Sequence, residues 1–396
     1  MIPYSRQPIE DDDIAAVTRV LRSDFLTNGQ EVVEFERELA AFCGSRYAVV
    51  CANGTAALHL ASLALGVGPS DSVVTSPITF MASGNAALYC GAEVRFADVE
   101  PHSICLSVTR LAAAVDALPR APKMIVPVHY GGGAAEMVEI SRLARDMGSV
   151  VLEDACHALG STYPDENGQP VKVGACRHSD AAAFSFHPLK HITAGEGGAV
   201  TTNREDIYRK LLTLRSHGIV RDSSQWIEKE QGFTDGKPNP WYHEMQSLGF
   251  NYRLTDIQSA LGRSQLKKID RFLNKRRSLA DLYRTVLAET NSPALPLFAH
   301  PATGNSYHLF PALIPFEERG TSRAQVMAKL MEAGIQTQVH YIPVYRQPHY
   351  RGRYGYAPED FPEAERYYSQ CLSLPVFPLM RDEDVHTVVA VLNSIL

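Results

Sequence analysis

Apolar residues follow two alternating spacings over the N-terminal half of the chain. Short apolar runs, such as YAVVC at 47–51 and MIVPV at 124–128, are followed by stretches whose apolar positions recur three or four residues apart. The first spacing is typical of buried strands and the second of helices. Strands that alternate with helices predict an α/β fold with a mostly parallel central sheet flanked by helices.

The pattern changes in the last third of the chain. One helical pattern runs through 253–287, and beyond it short apolar runs such as FPALIPF at 310–316 mix with helices. We therefore predict a large domain at 1–246 and a smaller C-terminal α/β domain at 247–396 that begins with a long linking helix. The segment 217–246 is long, polar and irregular, and its length favours neither a functional loop nor flexible filler.

Charge and composition restrict the class of protein. Lys and Arg number 38 and Asp and Glu 44, a net charge of −6, which predicts binding to neither nucleic acid nor a membrane surface. A basic run at 267–277 fits a solvated helix face. No apolar run approaches the roughly 20 residues of a membrane span, and the N-terminus does not resemble a signal peptide. Seven irregularly spaced cysteines predict no zinc site and no disulfide framework, so we expect buried thiols in a cytoplasmic protein.

The segment FSFHPLKHITAGEGG at 184–198 places Lys190 between an aromatic strand and a glycine-rich turn. The ordinary interpretation is a solvated surface lysine. Among apolar neighbours, however, the ammonium form would be disfavoured, the pKa would fall, and the neutral amine could form a Schiff base.

Two further motifs also have ordinary interpretations when taken alone. Asp154 ends an apolar strand and could be a helix cap. The Asn53-Gly54-Thr55 turn could likewise be only a cap. A helix N-terminus with a hydroxyl group is nevertheless also suited to a phosphate, because its free amides and its dipole both favour an anion.

Pyridoxal 5′-phosphate (PLP) explains these features together. It requires a lysine, an acid at the pyridine nitrogen, an anion site for its phosphate and a flat surface against its ring. Lys190, Asp154, the 54–56 turn with Ser185, and Phe80 meet these needs in that order. The strand ends that carry them form the ligand crevice in parallel sheets.

The motifs in their order resemble the DegT/DnrJ/EryC1/StrS family of sugar-nucleotide aminotransferases, which have the PLP-dependent transferase fold type I. The resemblance extends over essentially the whole chain. The motifs that carry it are LTNG (26–29), NGTAALHLA (53–61), SPITFMASGNAALYCGA (76–92), VLEDACHALG (151–160), FSFHPLKHITAGEGGAV (184–200), RSHGI (215–219), GFNYRLTDIQSALG (249–262) and QVHYIPVYRQPHY (338–350).

The resemblance implies a role for each matching residue of the cofactor site. Lys190 would be the Schiff-base lysine and the catalytic proton carrier. The other implied contacts are Asp154 with the pyridine nitrogen, His157 beside the phenolic oxygen, Phe80 on the ring, and Ser185, Thr55 and the amides of Gly54 and Ala56 with the phosphate. Asn251 would reach the phosphate of the neighbouring subunit, so the active unit would be a homodimer. Capping of the following helix is the ordinary alternative for Asn251 and Arg253.

Finer features resemble the subgroup that makes UDP-4-amino-4,6-dideoxy-N-acetyl-β-L-altrosamine for pseudaminic acid. This subgroup takes a UDP-4-keto-6-deoxy-N-acetylhexosamine and uses L-glutamate as amino donor. The implied substrate contacts are Tyr4, Asp24, Phe25, Leu26, Thr27, Gly54, Ser185, Arg253, His340 and Tyr341. Tyr4 could instead pack the N-terminal arm, and the HYIP segment at 340–343 could simply end a strand.

Departures from the subgroup leave other substrates open. Ala56 stands where the subgroup more often has a hydroxyl side chain. An aminotransferase for another nucleotide-linked 4-keto sugar is therefore the main alternative. Lys190 argues against the related sugar dehydratases, which would have histidine there. A non-catalytic PLP-fold binding protein is the remote alternative, and the acidic chain offers no basic surface for a DNA-binding module. No metal is expected.

Overall fold

The structure is a computed structural model that describes residues 1–300 and 304–396. Nine strands lie in the first half of the chain, and seven of them form one central sheet. The nine strands are β1 (Tyr47–Cys51), β2 (Ser72–Thr75), β3 (Glu93–Phe96), β4 (Met124–Val126), β5 (Val150–Asp154), β6 (Thr162–Pro164), β7 (Pro170–Lys172), β8 (Ala181–Ser185) and β9 (Gly198–Thr202). Strands β6 and β7 form a separate hairpin.

The central sheet has the strand order β1-β9-β8-β5-β4-β2-β3. Neighbouring strands from β3 to β8 pair in parallel, and only β9 runs antiparallel to both of its neighbours. The strands are almost continuously buried, as a sheet covered on both faces requires. The predicted mostly parallel α/β sheet is confirmed.

Seven helices accompany this sheet. They are α1 (Asp11–Leu21), α2 (Gln30–Cys43), α3 (Gly54–Ala64), α4 (Ala82–Tyr89), α5 (Val108–Asp116), α6 (Met137–Met147) and α7 (Glu205–Arg215). Helix α3 is buried along nearly its whole length, and it packs on β8, β9, α4 and α7. Its N-terminus therefore points into the interior at the strand ends, where the site described below lies.

The segment that follows α7 folds into short elements. They are β10 (Ile219–Val220), α8 (Lys229–Gly232), β11 (Phe233–Thr234), β12 (Lys237–Pro238) and β13 (Glu244–Met245). The ring of Trp226 packs edge-on against Phe233 and Tyr242. The carboxylate of Glu244 accepts hydrogen bonds of 2.8 Å from the amides of Ile227 and Glu228. The segment is thus an ordered unit with its own small packing centre.

The predicted single helix over 253–287 is wrong. Two helices occupy this part of the chain, α9 (Asp256–Leu266) and α10 (Ile269–Glu289). Helix α9 packs on α1 and α2, whereas α10 packs on the C-terminal helix α14 (Asp382–Ile395), so the chain changes direction between them. The ammonium of Lys268 at this junction pairs with Asp12 and Asp13 at 2.7 Å and thereby ties the break to the start of α1.

The rest of the chain forms a small antiparallel sheet with helices around it. The strands are β14 (Leu295–Pro296), β15 (Phe310–Leu313) and β16 (Cys371–Leu374), and the helices before α14 are α11 (Arg323–Glu332), α12 (Pro348–Tyr354) and α13 (Pro362–Gln370). The N-terminal arm joins this part, because Ile2 pairs with Ile335. The division of the chain into domains at 246–247 stays a prediction.

Within residues 1–300 and 304–396, no helix is both long and apolar enough to cross a membrane. The same residues contain no group of three or more His, Cys, Asp or Glu side chains placed to hold a metal ion.

Candidate active site

A cavity of about 480 Å³ opens where β5 and β8 end and α3 begins. The part of the chain around β15 closes its other side. Ten of the residues predicted from the sequence line it: Tyr4, Gly54, Thr55, Phe80, Asp154, His157, Ser185, Lys190, His340 and Tyr341. Residues up to 337 positions apart in the sequence therefore meet in one place.

Lys190 lies in the turn that follows β8, where its backbone amide donates to the carbonyl of His187 at 2.9 Å. Its Nζ atom lies 3.5 Å from Nε2 of His308. Desolvation in the cavity lowers the pKa of Lys190, and the buried guanidinium of Arg276 lowers it further, while Cys156 and Asp154 oppose the shift. The neutral amine that a nucleophile needs is therefore easier to form here than in water.

Asp154 is the last residue of β5 and is 5 % exposed. Its Oδ2 atom accepts a hydrogen bond of 2.6 Å from the hydroxyl of Ser83, and its Oδ1 atom accepts one of 3.2 Å from the amide of Cys156. No cation pairs with this carboxylate among the residues that the structure describes. A buried carboxylate that faces a cavity without a cationic partner is suited to a protonated ring nitrogen.

The start of α3 forms the opposite end of the cavity. The side chain of Asn53 caps the helix by accepting the amide of Ala56 at 2.8 Å, so that amide is engaged within the helix and not free for a phosphate as the resemblance implied. The amides of Gly54 and Thr55, the first two residues of the helix, have no acceptor in the described structure. These two amides, with the dipole of α3, can hold an anion.

Gly54 is required by close packing against Ser185. A Cβ atom at Gly54 would lie 2.8 Å from Cβ and 3.1 Å from Oγ of Ser185. The glycine therefore allows the start of α3 and the end of β8 to approach one another closely, so that amides and hydroxyl group converge on one point.

His157 and Tyr341 connect the two sides of the cavity. The Tyr341 hydroxyl lies 3.0 Å from Nε2 of His157, and the two rings are nearly parallel at 21°. The backbone carbonyl of His340 accepts hydrogen bonds from the hydroxyls of Tyr130 at 2.6 Å and Tyr367 at 2.9 Å, which fixes this loop. Phe80 remains half exposed at the cavity mouth.

Several predicted residues do not line this cavity. They are Asp24, Phe25, Leu26, Thr27, Ala56, Asn251 and Arg253. The first four are exposed, Thr27 pairs with Thr255, and the equally exposed Asn251 pairs with Ser216. This patch adjoins the cavity rim, because Gln258 donates to the carbonyl of the rim residue Glu196 at 2.8 Å. Within one chain, these side chains are near the cavity but outside it.

Sequence reasoning missed four residues that shape the site: Ser83, Cys156, Arg276 and His308. Ser83 lies in the motif SPITFMASGNAALYCGA at 76–92, three residues after the predicted Phe80. Cys156 lies between Asp154 and His157 and lines the cavity. Arg276 and His308 gave no local signal, because only long-range packing brings them to Lys190.

Comparison with known proteins agrees with this geometry. The model of the DegT/DnrJ/EryC1/StrS aminotransferase family matches residues 7–393. The chain belongs to this family. It is 37% identical over 395 residues to the spore coat polysaccharide biosynthesis protein SpsC of Bacillus subtilis. This alignment covers 100% of this chain and 97% of SpsC. It is also 37% identical over 396 residues to a UDP-4-amino-4,6-dideoxy-N-acetyl-beta-L-altrosamine transaminase of Campylobacter jejuni, covering 100% of this chain and 98% of that one.

A solved structure supports the same conclusion. Helicobacter pylori PseC, an aminotransferase involved in the biosynthesis of pseudoaminic acid, superimposes with a TM-score of 0.87 and 31% identity, over 100% of this chain and 98% of that chain. Family membership makes the protein a PLP-dependent sugar aminotransferase. The cavity fits that cofactor on its own evidence, since it presents an amine, a carboxylate without a cation, and a helix N-terminus with free amides.

Proposed function

We propose that this enzyme transfers the amino group of L-glutamate to C4 of a UDP-4-keto-6-deoxy-N-acetylhexosamine, giving UDP-4-amino-4,6-dideoxy-N-acetyl-β-L-altrosamine. The observation that carries the proposal is the convergence of Lys190, Asp154 and the start of α3 on one cavity, with Tyr4, His340 and Tyr341 opposite them. The likeness over the full chain to the Campylobacter jejuni transaminase supports the choice of sugar.

Each cofactor group has a proposed holder. Asp154 would pair with the ring nitrogen, the amides of Gly54 and Thr55 with Ser185 would hold the phosphate, Phe80 would cover the ring, and His157 would lie beside the phenolic oxygen. When bound, PLP supplies an electron sink that stabilises a carbanion next to the reacting nitrogen.

Lys190 performs the proton transfers in this proposal. Its neutral amine removes a proton from Cα of the amino donor and returns one to C4 of the sugar in the second half of the reaction. Desolvation lowers the pKa of Lys190, which favours the neutral amine that takes up the first proton. Tyr341, held against His157, helps to exclude water from the reacting carbon.

We further propose that the enzyme works in the cytoplasm as a homodimer. Asn251 and Arg253, with Asp24, Phe25, Leu26 and Thr27, lie outside the cavity of their own chain but on a patch that adjoins its rim. In a dimer with shared sites, this patch would face the partner's cofactor phosphate and sugar nucleotide.

A second candidate is an aminotransferase for a different nucleotide-linked 4-keto sugar. The equal identity to SpsC, whose name refers to spore coat polysaccharide, favours keeping it. The test is to incubate the PLP-loaded enzyme and L-glutamate with the UDP-4-keto-6-deoxy-N-acetylhexosamine, with a UDP-4-keto-pentose and with a dTDP-4-keto-6-deoxyhexose. We expect 2-oxoglutarate release and a new 4-amino sugar, seen by NMR, with the first of these. Preferential turnover of either other sugar would replace the proposal by the second candidate.

A further inference from the structure

The amine of Lys190 contacts a histidine that enters the site from the other side of the cavity. Nε2 of His308 lies 3.5 Å from Nζ of Lys190, although the residues are 118 positions apart in the sequence. His308 is only 8 % exposed and lines the cavity. It stands two residues before β15, so its position depends on packing between the small antiparallel sheet and the central sheet.

The backbone around His308 is rigidly held. The guanidinium of Arg276 donates to the carbonyls of Val376 at 2.7 Å, Tyr307 at 3.3 Å and His308 at 3.4 Å. The amide of Leu309 donates to the carbonyl of Gly131 at 3.1 Å. The imidazole is therefore presented to Lys190 from a fixed segment, and a fixed acceptor can orient a flexible lysine side chain.

The imidazole of His308 is held in its neutral form. His157 and His191 pack beside it with ring centroids 4.4 and 5.5 Å away. Burial lowers the pKa of His308, and the positive charges of Lys190 and Arg276 and the neighbouring imidazoles add to this effect. Nε2 of His157 contacts the Tyr341 hydroxyl, and Nε2 of His191 faces the carbonyl of Ser306, so neither ring brings a carboxylate near.

A neutral imidazole has one nitrogen that accepts hydrogen bonds, whereas an ammonium can only donate them. Once Lys190 carries a proton, a hydrogen bond between Nζ and His308 runs from the ammonium to Nε2, which requires the tautomer with its proton on Nδ1. The other titratable groups that interact electrostatically with Lys190 are Asp154, Cys156, His157, His191, Arg276 and His340.

We propose that His308 is a positioning residue for Lys190: its Nε2 atom orients the amine in the cavity and accepts a hydrogen bond from the ammonium that forms when Lys190 takes up a proton. The second half of this inference rests on the proposed role of Lys190 in proton transfer. The contact itself does not.

The test compares variants of the full-length chain without cofactor. Each protein is trace-labelled with acetic anhydride across a pH series, and the Lys190 peptide is analysed by mass spectrometry. The extent of acetylation gives the pH midpoint of Lys190, at which half of its amine is protonated. The exposed Lys329 serves as an internal reference. His308→Phe removes the acceptor, His308→Gln supplies another one, and His191→Gln alters a neighbouring imidazole whose Nε2 atom faces the carbonyl of Ser306 and not Nζ of Lys190.

Loss of the acceptor should disfavour the ammonium. In His308→Phe, we expect the Lys190 midpoint to move to lower pH, so that the ammonium fraction at the wild-type midpoint falls from half to below about one tenth. His308→Gln should recover much of the change. An unchanged midpoint in a folded His308→Phe would overturn the proposal, and so would an equal shift in His191→Gln. If His308→Phe does not fold, His308→Asn replaces it, because its shorter amide cannot reach Nζ.

A second readout uses the PLP-loaded enzyme. We expect His308→Phe to lower kcat about ten- to a hundredfold while the KM for the amino donor stays within about twofold of wild type, with partial rescue in His308→Gln. Loss of donor affinity with unchanged kcat would contradict the positioning role. If no keto sugar is converted by the wild type, the proposed function fails, but the labelling result still decides the contact.

Discussion

The hydroxyl of Ser83 donates a hydrogen bond of 2.6 Å to Oδ2 of Asp154, across 71 positions of sequence. Ser83 lies in α4 and Asp154 at the end of β5, so the bond ties a helix to the strand end in the cavity wall. The second carboxylate oxygen accepts the amide of Cys156 at 3.2 Å. Ser83 is thus the principal group that fixes the carboxylate facing the cavity.

We predict that Ser83→Ala weakens PLP binding about tenfold. The substitution removes a hydrogen bond to a charged group, which frees the carboxylate to turn away from the ring nitrogen. Equilibrium dialysis with the purified chain measures the effect. Ser62→Ala is the matched control, because that buried hydroxyl donates to Leu58 within its own helix. Equal PLP affinity in both variants would show that Ser83 does not support the site.

Gly54→Ala should weaken PLP binding through the phosphate, by about tenfold or more. The added Cβ would approach Cβ of Ser185 to 2.8 Å, and Ser185 must move away from the free amides at the start of α3. The concentration of inorganic phosphate needed to compete with PLP measures the anion affinity at the start of α3 separately. Gly352→Ala is the control, since a Cβ there meets nothing within 4 Å. If phosphate competes equally well in Gly54→Ala and in the wild type, the cofactor phosphate does not bind at the start of α3.

The 219–245 segment offers a prediction on pH. Desolvation raises the pKa of Glu244, but hydrogen bonds from the Ile227 amide, the Gln246 side chain and the Glu228 amide outweigh it and lower that pKa to about 2. Because the folded value is the lower one, the contribution of Glu244 to local stability is complete above the unfolded pKa of about 4.3. It is lost as the pH falls toward 2.

We therefore expect Glu244→Gln to speed hydrogen exchange in the peptide around Ile227 at pH 7. The difference from wild type should shrink as the pH falls below about 4. Hydrogen exchange with mass spectrometry gives both results. Glu230→Gln, which changes an exposed carboxylate of the same segment, should behave like the wild type. A difference that grows on acidification would contradict the assigned direction.

The sequence predicted the local parts of this structure well. Apolar runs of four or five residues such as Tyr47–Cys51 fixed the strands, because two-sided burial leaves a continuous apolar signal. The single helix expected over 253–287 failed for a physical reason. Its break at Lys268 is set by carboxylates near the start of α1, far away in the sequence, and helical periodicity carries no trace of them.

The same distinction applies to the site. Lys190, Asp154 and the start of α3 lie in motifs whose residue types already indicate chemistry. His308 looks like any residue of an apolar stretch, and Arg276 like any charge on a helix that carries several. Arg276 is nevertheless almost fully buried, at 1 % exposure, and it holds three backbone carbonyls. Roles of this kind arise from tertiary packing and are visible only in the folded chain.

Lys190→Ala should abolish steady-state transamination, because among the described residues no other lysine lines the cavity to take over the proposed roles of nucleophile and proton carrier. The proposed phosphate contacts at Gly54, Thr55 and Ser185 do not involve the lysine, so much of the PLP affinity should remain. The visible absorption band of PLP bound to Lys190 as a Schiff base should be lost, while equilibrium dialysis should still detect bound PLP. Lys329→Ala, on an exposed face of α11, should retain both band and turnover. Steady-state release of 2-oxoglutarate by Lys190→Ala would disprove the assignment of Lys190 as the catalytic residue.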